Sequence, residues 1–260
     1  MSRLILTLFL FAIALLSKPA TAEDWSRFRG PDGSGATSAT GLALTWDDGK
    51  NIRWQAKLPG RGASSVIIVG KRAFITCYSG YGLDSRKPGE QGDLKLHVAC
   101  YDAESGKQLW DKSFASDETV RDYRGFVALH GYASSTPASD GKAVYAYFGA
   151  NGLVAYDLEG KLLWRKKLGS KTHGFGTANS PVLYENVVIV NAGVESGRVV
   201  GLDKKTGKLL WEAGGIKSSW NTPTLVTAAS GRVEAVVNTK GKLRAYDPKT
   251  GTELWTCSAI

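Results

Sequence analysis

The side chains of this sequence best suited to bind a ligand recur at similar positions in three loops. They are His130 and Tyr132 in HGYASSTP, His173 and Phe175 in HGFGTANSP, and Trp220 in SSWNTP. Imidazole, aromatic and amide groups around one opening could hold a planar or anionic ligand. The alternative is that the rings wedge between repeated units while the histidines hydrogen-bond the loop backbone.

These loops do not predict catalysis or a metal site. Two imidazoles without a nearby carboxylate are too few ligands for a zinc site. No segment reads as a nucleophile elbow, a phosphate-binding loop or a zinc-ligand spacing. The remaining histidine, His97, falls in the predicted strand KLHVACYD, and we interpret it as a residue on a strand face.

The cysteines leave two interpretations open. Cys77 and Cys100 fall on neighbouring predicted strands, so a cross-strand disulfide between them is feasible in an exported protein. Alternatively, both are buried free thiols that pack as small apolar residues. Cys257 has no obvious partner.

A repeated phrase supplies the elements that would position the loops. It reads CYDAESGKQLW, AYDLEGKLLW, GLDKKTGKLLW and AYDPKTGTELW, with a fainter copy, TWDDGKNIRW, that ends at Trp54. Each phrase predicts the end of a strand, an Asp that starts a turn, a Gly that takes positive φ, and a strand whose Trp packs on a neighbouring sheet. The residues assigned these roles are Asp102, Gly106, Trp110, Asp157, Gly160, Trp164, Asp203, Gly207, Trp211, Asp247, Gly251 and Trp255.

The spacing of the phrase predicts the architecture. Successive terminal tryptophans lie 56, 54, 47 and 44 residues apart, which is typical of four-stranded propeller blades. Two further strands are predicted upstream of the strand that ends in each phrase, which gives four strands per unit, and no long helical periodicity follows residue 22. The class is therefore all-β, a β-propeller of four-stranded antiparallel blades.

The phrase also carries a family resemblance. The pattern A-x-D-x-x-T-G-x-x-x-W, complete in AYDPKTGTELW, resembles the tryptophan-docking repeat of pyrroloquinoline quinone (PQQ) dehydrogenases and of the outer-membrane assembly lipoprotein propellers. The segments DWSRFRGPDGSG and NIRWQAKLPGRGASS are similar to exported bacterial PQQ-like repeat proteins. The resemblance implies a ring of seven or eight blades. In the dehydrogenases it implies a calcium site, an acidic base and often a Cys-Cys pair, none of which we can match here.

The predicted division of the chain is a leader, an N-terminal segment with a partial blade, and the propeller repeats. The boundaries are 1–22, 23–62 and 63–260, with complete blades at about 63–112, 134–167, 179–213 and 221–256. Four blades and a partial one predict an incomplete ring. A fragment of a larger propeller, a ring closed by a second copy and a compact four-bladed closure remain open, and exposed end blades would favour self-association.

The leader and the charge indicate the compartment. Residues 1–22 combine a short basic start, an apolar run and a final A-x-A, which predicts a signal peptide cleaved after Ala22 and export to the periplasm or the extracellular space. No transmembrane span is expected after cleavage. Subtracting Arg3 and Lys18 from the net charge of +9 leaves +7. A positive charge of this size favours binding to anionic polymers. The lysines, however, recur in predicted turns, which is typical of an ordinary solvated surface. The sequence has no basic cluster mixed with aromatic residues that would indicate nucleic-acid binding.

We therefore expect an exported binding or scaffold module of the cell envelope, with a protein or envelope polymer as partner and no assignable cofactor. The alternative is a quinoprotein dehydrogenase that oxidises an alcohol or a sugar, with PQQ and calcium. The long polar loops at 79–93 and 115–126 are candidates for recognition.

Overall fold

The computed structural model describes residues 24–217 and 219–258. The predicted signal peptide lies outside these residues. Within them, no helix has both the length and the apolar character needed to cross a membrane.

Sixteen strands form four antiparallel sheets of four. The first sheet contains β1 (Ile67–Val69), β2 (Arg72–Ser79), β3 (Lys95–Asp102) and β4 (Gln108–Ala115). The second contains β5 (Ala138–Ser139), β6 (Ala143–Tyr147), β7 (Leu153–Asp157) and β8 (Leu162–Lys166). The third contains β9 (Val182–Tyr184), β10 (Val187–Ala192), β11 (Arg198–Asp203) and β12 (Leu209–Ala213). The fourth contains β13 (Thr224–Thr227), β14 (Val233–Thr239), β15 (Lys242–Tyr246) and β16 (Glu253–Ser258).

Each sheet is one blade of a partial propeller ring, so the predicted fold class is confirmed. The short first strands β1, β5 and β9 neighbour one another and therefore form the inner edge of the arc. The loops that lead into the first strands consequently meet at one end of the arc, which we call the mouth. Among the described residues, α-helix is confined to one turn, α1 (Val127–His130), in the loop between the first two blades.

The Asp and Gly of each repeated phrase build the outer hairpin. Asp203 Oδ1 accepts hydrogen bonds from the backbone N–H groups of Lys205 and Thr206, and the carboxylates of Asp102, Asp157 and Asp247 bond equivalent turns. The Ser105 hydroxyl is the main reason that the pKa of Asp102 lies below its usual value. Gly207 has φ +68° because the chain reverses there, a conformation that costs a residue with Cβ about 1–2 kcal/mol.

The Trp of each phrase joins one blade to the next. The Trp164 ring lies against Gly207, and its Nε1 donates to Lys204 O at 2.9 Å. The same two contacts join Trp110 to the second blade and Trp211 to the fourth. Large shared apolar clusters lie between the blades, such as the one in which Val190 and Leu202 of the third sheet pack with Tyr147 and Leu153 of the second.

The N-terminal segment contacts the arc at two places. Trp54 lies against Gly106 and donates to Ala103 O, so it occupies the position that an outer strand of a preceding blade would have. Farther upstream, Trp25 pairs with Ile68 of β1, and Ser26 O accepts from Ser139 N of β5. Residues 24–26 therefore lie along the inner edge of the arc, a position that the sequence did not predict.

Of the two interpretations of Cys77 and Cys100, the structure contradicts the cross-strand disulfide and agrees with buried free thiols. Both thiols are free and fully buried. The register of β2 and β3 places Cys77 opposite His97 and Cys100 opposite Phe74. Since successive side chains alternate between sheet faces, the two cysteines point to opposite faces of the first blade.

Candidate functional site

A relay of hydroxyl groups links the mouth loops of all four blades. Ser65 N donates to Thr136 Oγ1, Thr136 N donates to Ser180 Oγ, and Ser180 N donates to Thr222 Oγ1, at 3.0, 3.0 and 2.9 Å. The hydroxyl residues stand immediately before the first strands or their prolines, at the same place in each repeat. They fix the loops of neighbouring blades in one relative position and so give the mouth a rigid base.

His130 joins the second blade's loop to that of the third. Its Nδ1 lies 2.6 Å from Ser134 Oγ, and its Nε2 lies 2.8 Å from Phe175 O. Gly176 must lack a side chain, because a Cβ there would lie 2.6 Å from the imidazole Cε1. Both ring nitrogens of His130 are therefore engaged within the protein.

His173, Phe175 and Trp220 form one aromatic cluster. The His173 and Trp220 ring centroids are 4.8 Å apart, and those of Phe175 and Trp220 are 5.4 Å apart. Trp220 Nε1 donates to Gly176 O at 3.0 Å, and Phe126 meets Phe175 edge to face at 4.6 Å. The loops of the second, third and fourth blades thus meet through ring contacts.

Tyr132 belongs to a different cluster. Its ring stacks on Tyr81 and meets Tyr78 edge to face, and its hydroxyl donates to Arg121 O at 2.7 Å. Burial is the main reason that the Tyr132 pKa is raised well above its usual value. The structure therefore separates Tyr132 from Phe175, although the two residues hold similar positions in sequence.

A cleft of about 520 Å³, counting its open mouth, lies beside both clusters, between the second and third blades. Its walls include Arg121, Tyr132, His173 and Thr177. Backbone at Gly149 forms part of the lining, and a Cβ there would lie 2.8 Å from Thr177 Oγ1. Most of this volume is open to solvent, and the enclosed space is about 50 Å³, which admits the tip of one side chain.

Glu195 lies directly behind this wall and is 2% exposed. Its Oε1 accepts a hydrogen bond from Thr177 Oγ1, and a Cβ at Gly149 would lie 3.1 Å from this oxygen. The Tyr147 hydroxyl lies beside the carboxyl, close enough to affect its pKa, but within residues 24–217 and 219–258 neither this hydroxyl nor Glu195 Oε2 has a partner with hydrogen-bond geometry. Burial raises the pKa of Glu195, against the opposing effect of the Thr177 bond, and so favours the neutral acid.

The donor set at the mouth does not fit PQQ with calcium. Calcium takes six to eight oxygen ligands, usually from several carboxylates. The mouth offers imidazoles, aromatic rings and one buried carboxyl, and residues 24–217 and 219–258 contain no cluster of three or more His, Cys, Asp or Glu side chains that could hold a metal. We therefore derive no redox step at this site.

Sequence reasoning identified the mouth loops but missed three of their features. Glu195 reads as an ordinary polar turn residue in NAGVESGR. Phe126 sits in a polar loop whose single helical turn is too short for a periodicity signal. The hydroxyl relay had a signal, because Ser or Thr recurs immediately before Val66, Pro137, Pro181 and Pro223.

Solved structures similar to this chain share its fold at low sequence identity. BamB from Moraxella catarrhalis has a TM-score of 0.51 and 16% identity, with 79% of this chain and 51% of that one covered. Quinohemoprotein alcohol dehydrogenase from Comamonas testosteroni has a TM-score of 0.60 and 16% identity, with 90% of this chain and 41% of that one covered.

A curated protein shows a closer but still distant likeness. Tetrathionate hydrolase of Acidithiobacillus ferrooxidans is 28% identical over 178 residues, which cover 62% of this chain and 33% of the hydrolase. The chain thus spans about a third of that relative and about half or less of the two solved structures.

One family profile matches most of the propeller. Its description is outer membrane protein assembly factor BamB, and it matches residues 95–258, from the third strand of the first blade to the end of the fourth. That match covers more than half of the chain and includes all four copies of the phrase that ends in Trp110, Trp164, Trp211 and Trp255. The chain therefore belongs to this BamB-like family of PQQ-repeat propeller proteins.

Proposed function

We propose that this chain is an exported binding module of the cell envelope and that its mouth surface docks a segment of a partner protein. The apolar leader at residues 1–22 supports export, and the family description, an outer membrane protein assembly factor, supports a protein partner. The observation that carries the proposal is an apolar patch beside the cleft.

The patch consists of Phe126, Leu129 and Phe175, whose exposed fractions are 57%, 79% and 46%. Phe126 and Phe175 come from the loops of different blades and are in ring contact. Exposed apolar groups that cluster on a rigid base are typical of protein-binding surfaces, where aromatic residues supply most of the affinity.

Polar groups beside the patch define the kind of segment that fits. Arg121 and Thr177 line the cleft, and Arg124 lies on the same side of the mouth. Arg124 is in part neutralised by Asp122 at 3.2 Å, which leaves Arg121 as the cation facing the cleft. We infer that the partner segment presents an apolar side chain to the patch and an acidic group to Arg121.

Photocrosslinking tests this docking site. A benzophenone amino acid would replace Leu129 in one variant and Leu109, an exposed residue of β4 remote from the mouth, in the matched control. In envelope preparations, the residue 129 variant should give an adduct of one discrete mass. Adding Phe175→Glu should remove that adduct, because the charge makes the patch unsuitable for an apolar side chain.

Equal adducts from positions 129 and 109, or an adduct unaffected by Phe175→Glu, would overturn the docking proposal. The dehydrogenase alternative has its own assay. PQQ and Ca²⁺ would be added to the purified protein, and dye-linked oxidation of a panel of alcohols and sugars would be measured. Turnover that depends on PQQ would favour the dehydrogenase over the binding module.

A further inference from the structure

Three polar side chains of the first blade are aligned as a hydrogen-bonded relay. Ser79 Oγ lies 2.8 Å from His97 Nε2, and His97 Nδ1 lies 3.0 Å from Asp111 Oδ1. Ser79 ends β2, His97 is on β3 and Asp111 is on β4. A hydroxyl on Nε2 with a carboxylate on Nδ1 is the arrangement that activates a serine nucleophile in hydrolases of unrelated folds.

The strand register produces this alignment and holds it firmly. His97 pairs with Ser113 of β4 and with Cys77 of β2, so Ser79 and Asp111 project from the same sheet face as His97, each two residues along its strand. His97 is only 6% exposed, and both of its ring nitrogens are engaged. The carboxylate therefore fixes the tautomer in which Nε2 is free to accept the serine proton.

The group beside the imidazole that can react is the serine. Cys77 faces His97 as well, but burial raises the pKa of its thiol to about 11, with a further contribution from Asp111, so it stays protonated at neutral pH. Ser79, by contrast, is half-buried and adjoins the exposed Gly80 at the start of the long loop to β3. A reagent can thus reach Ser79 while Cys77 is shielded.

We propose that Ser79, His97 and Asp111 form a nucleophilic centre that hydrolyses simple carboxylic esters. Gly60 lies close to Ser79, since a Cβ on Gly60 would lie 3.2 Å from Ser79 Cβ. An ester with a small acyl group is therefore the substrate chosen for the test below.

The reaction proceeds in two balanced steps. Ser79 Oγ attacks the ester carbonyl while His97 Nε2 takes the hydroxyl proton, and His97 then returns this proton to the departing alkoxide as the alcohol leaves. The acyl group remains bonded to Ser79 Oγ. Water then attacks the acyl-serine with His97 again as base, which releases the carboxylic acid and restores the hydroxyl. Asp111 is a positioning residue throughout, since it touches only the imidazole.

Covalent labelling tests the centre on the full chain. A fluorophosphonate probe should add once to the wild-type protein, at Ser79 by peptide mapping, and p-nitrophenyl acetate should release p-nitrophenolate. Ser79→Ala should abolish both. Asp111→Asn should slow labelling by about 10²- to 10⁴-fold, since it favours the wrong imidazole tautomer.

Matched controls separate this chemistry from a structural role. Ser113→Ala removes an exposed hydroxyl directly opposite His97 and should label within about twofold of wild type, as should Cys77→Ser. Circular dichroism checks that each variant is folded. An unlabelled wild-type protein, labelling that persists in Ser79→Ala, or a folded Asp111→Asn that labels at the wild-type rate would overturn the proposal.

Discussion

The indole ring of Trp211 covers Gly251 of the following blade so closely that a Cβ on Gly251 would lie 2.5 Å from the ring. The Trp211 Nε1 also donates to Pro248 O at 3.2 Å. One side chain therefore contacts the turn of its neighbour by both its face and its polar edge. The repeated phrase therefore forms the contact between neighbouring blades.

Replacing Gly251 with alanine should destabilise the protein by about 2–4 kcal/mol, because the methyl group clashes with the indole in addition to the positive φ. Gly241→Ala is the matched control, since Gly241 has φ +72° but no atom within 4 Å of its built Cβ. It should cost only about 1–2 kcal/mol. Urea unfolding of both variants measures the difference, and equal losses would show that the contact with Trp211 adds nothing.

Ser180→Ala should destabilise the mouth by about 1–3 kcal/mol, because it leaves the buried Thr136 N–H without its acceptor. Ser180→Thr should retain most of the stability, since Thr holds the equivalent position in the second and fourth blades. Thermal unfolding compares the two. A Ser180→Ala protein as stable as wild type would mean that another acceptor replaces the hydroxyl.

Glu195 should make the stability of the protein fall as pH rises. Its folded-state pKa is raised by burial above the unfolded value near 4.5, so the folded state binds its proton more tightly. This contribution is fully present below pH 4.5 and is lost as pH rises through the folded pKa. Glu195→Gln should therefore be more stable than wild type at pH 8, by about 1–3 kcal/mol, and close to it at pH 4. Urea unfolding at both pH values measures the stability difference between Glu195→Gln and wild type. A variant that is stabilised only at pH 4 would contradict the prediction.

Thiol titration should distinguish the three cysteines. Burial raises the pKa of Cys77 to about 11 and that of Cys100 to about 12, whereas Cys257 is exposed. Ellman's reagent should therefore modify one thiol in the native protein and three in urea. Cys257→Ser should reduce the native value to zero. If fewer than three thiols react after unfolding in urea without reductant, a disulfide is present.

The fold was predictable from sequence because its signals are local. The Asp, the positive-φ Gly and the Trp of a phrase such as GLDKKTGKLLW lie within 9 residues, and each performs a role set by its own turn or strand. Four copies of this signal gave the all-β class and the number of complete blades. The helical turn at α1 carried no comparable signal because it lasts only 4 residues.

The candidate sites depended instead on strand register and on contacts between blades. A shift of one residue moves a side chain to the other sheet face, so neither the separation of Cys77 from Cys100 nor the alignment of Ser79 with His97 could be inferred from spacing. Glu195 is buried by the neighbouring blade, which no local pattern reports. Position in the repeat also grouped Tyr132 with Phe175, whereas the long loop of the first blade supplies Tyr132 with other partners, Tyr81 among them.

The contacts of Trp110, Trp164 and Trp211 all point the same way along the chain, from the last strand of one blade to the last turn of the next. Such head-to-tail joints are identical in kind and involve only immediate neighbours. A repeat that is duplicated or lost as a whole therefore leaves the residues of every remaining joint in place. The angle between neighbouring blades, rather than the identity of the contact residues, is then the quantity that must adapt for rings of different size to close.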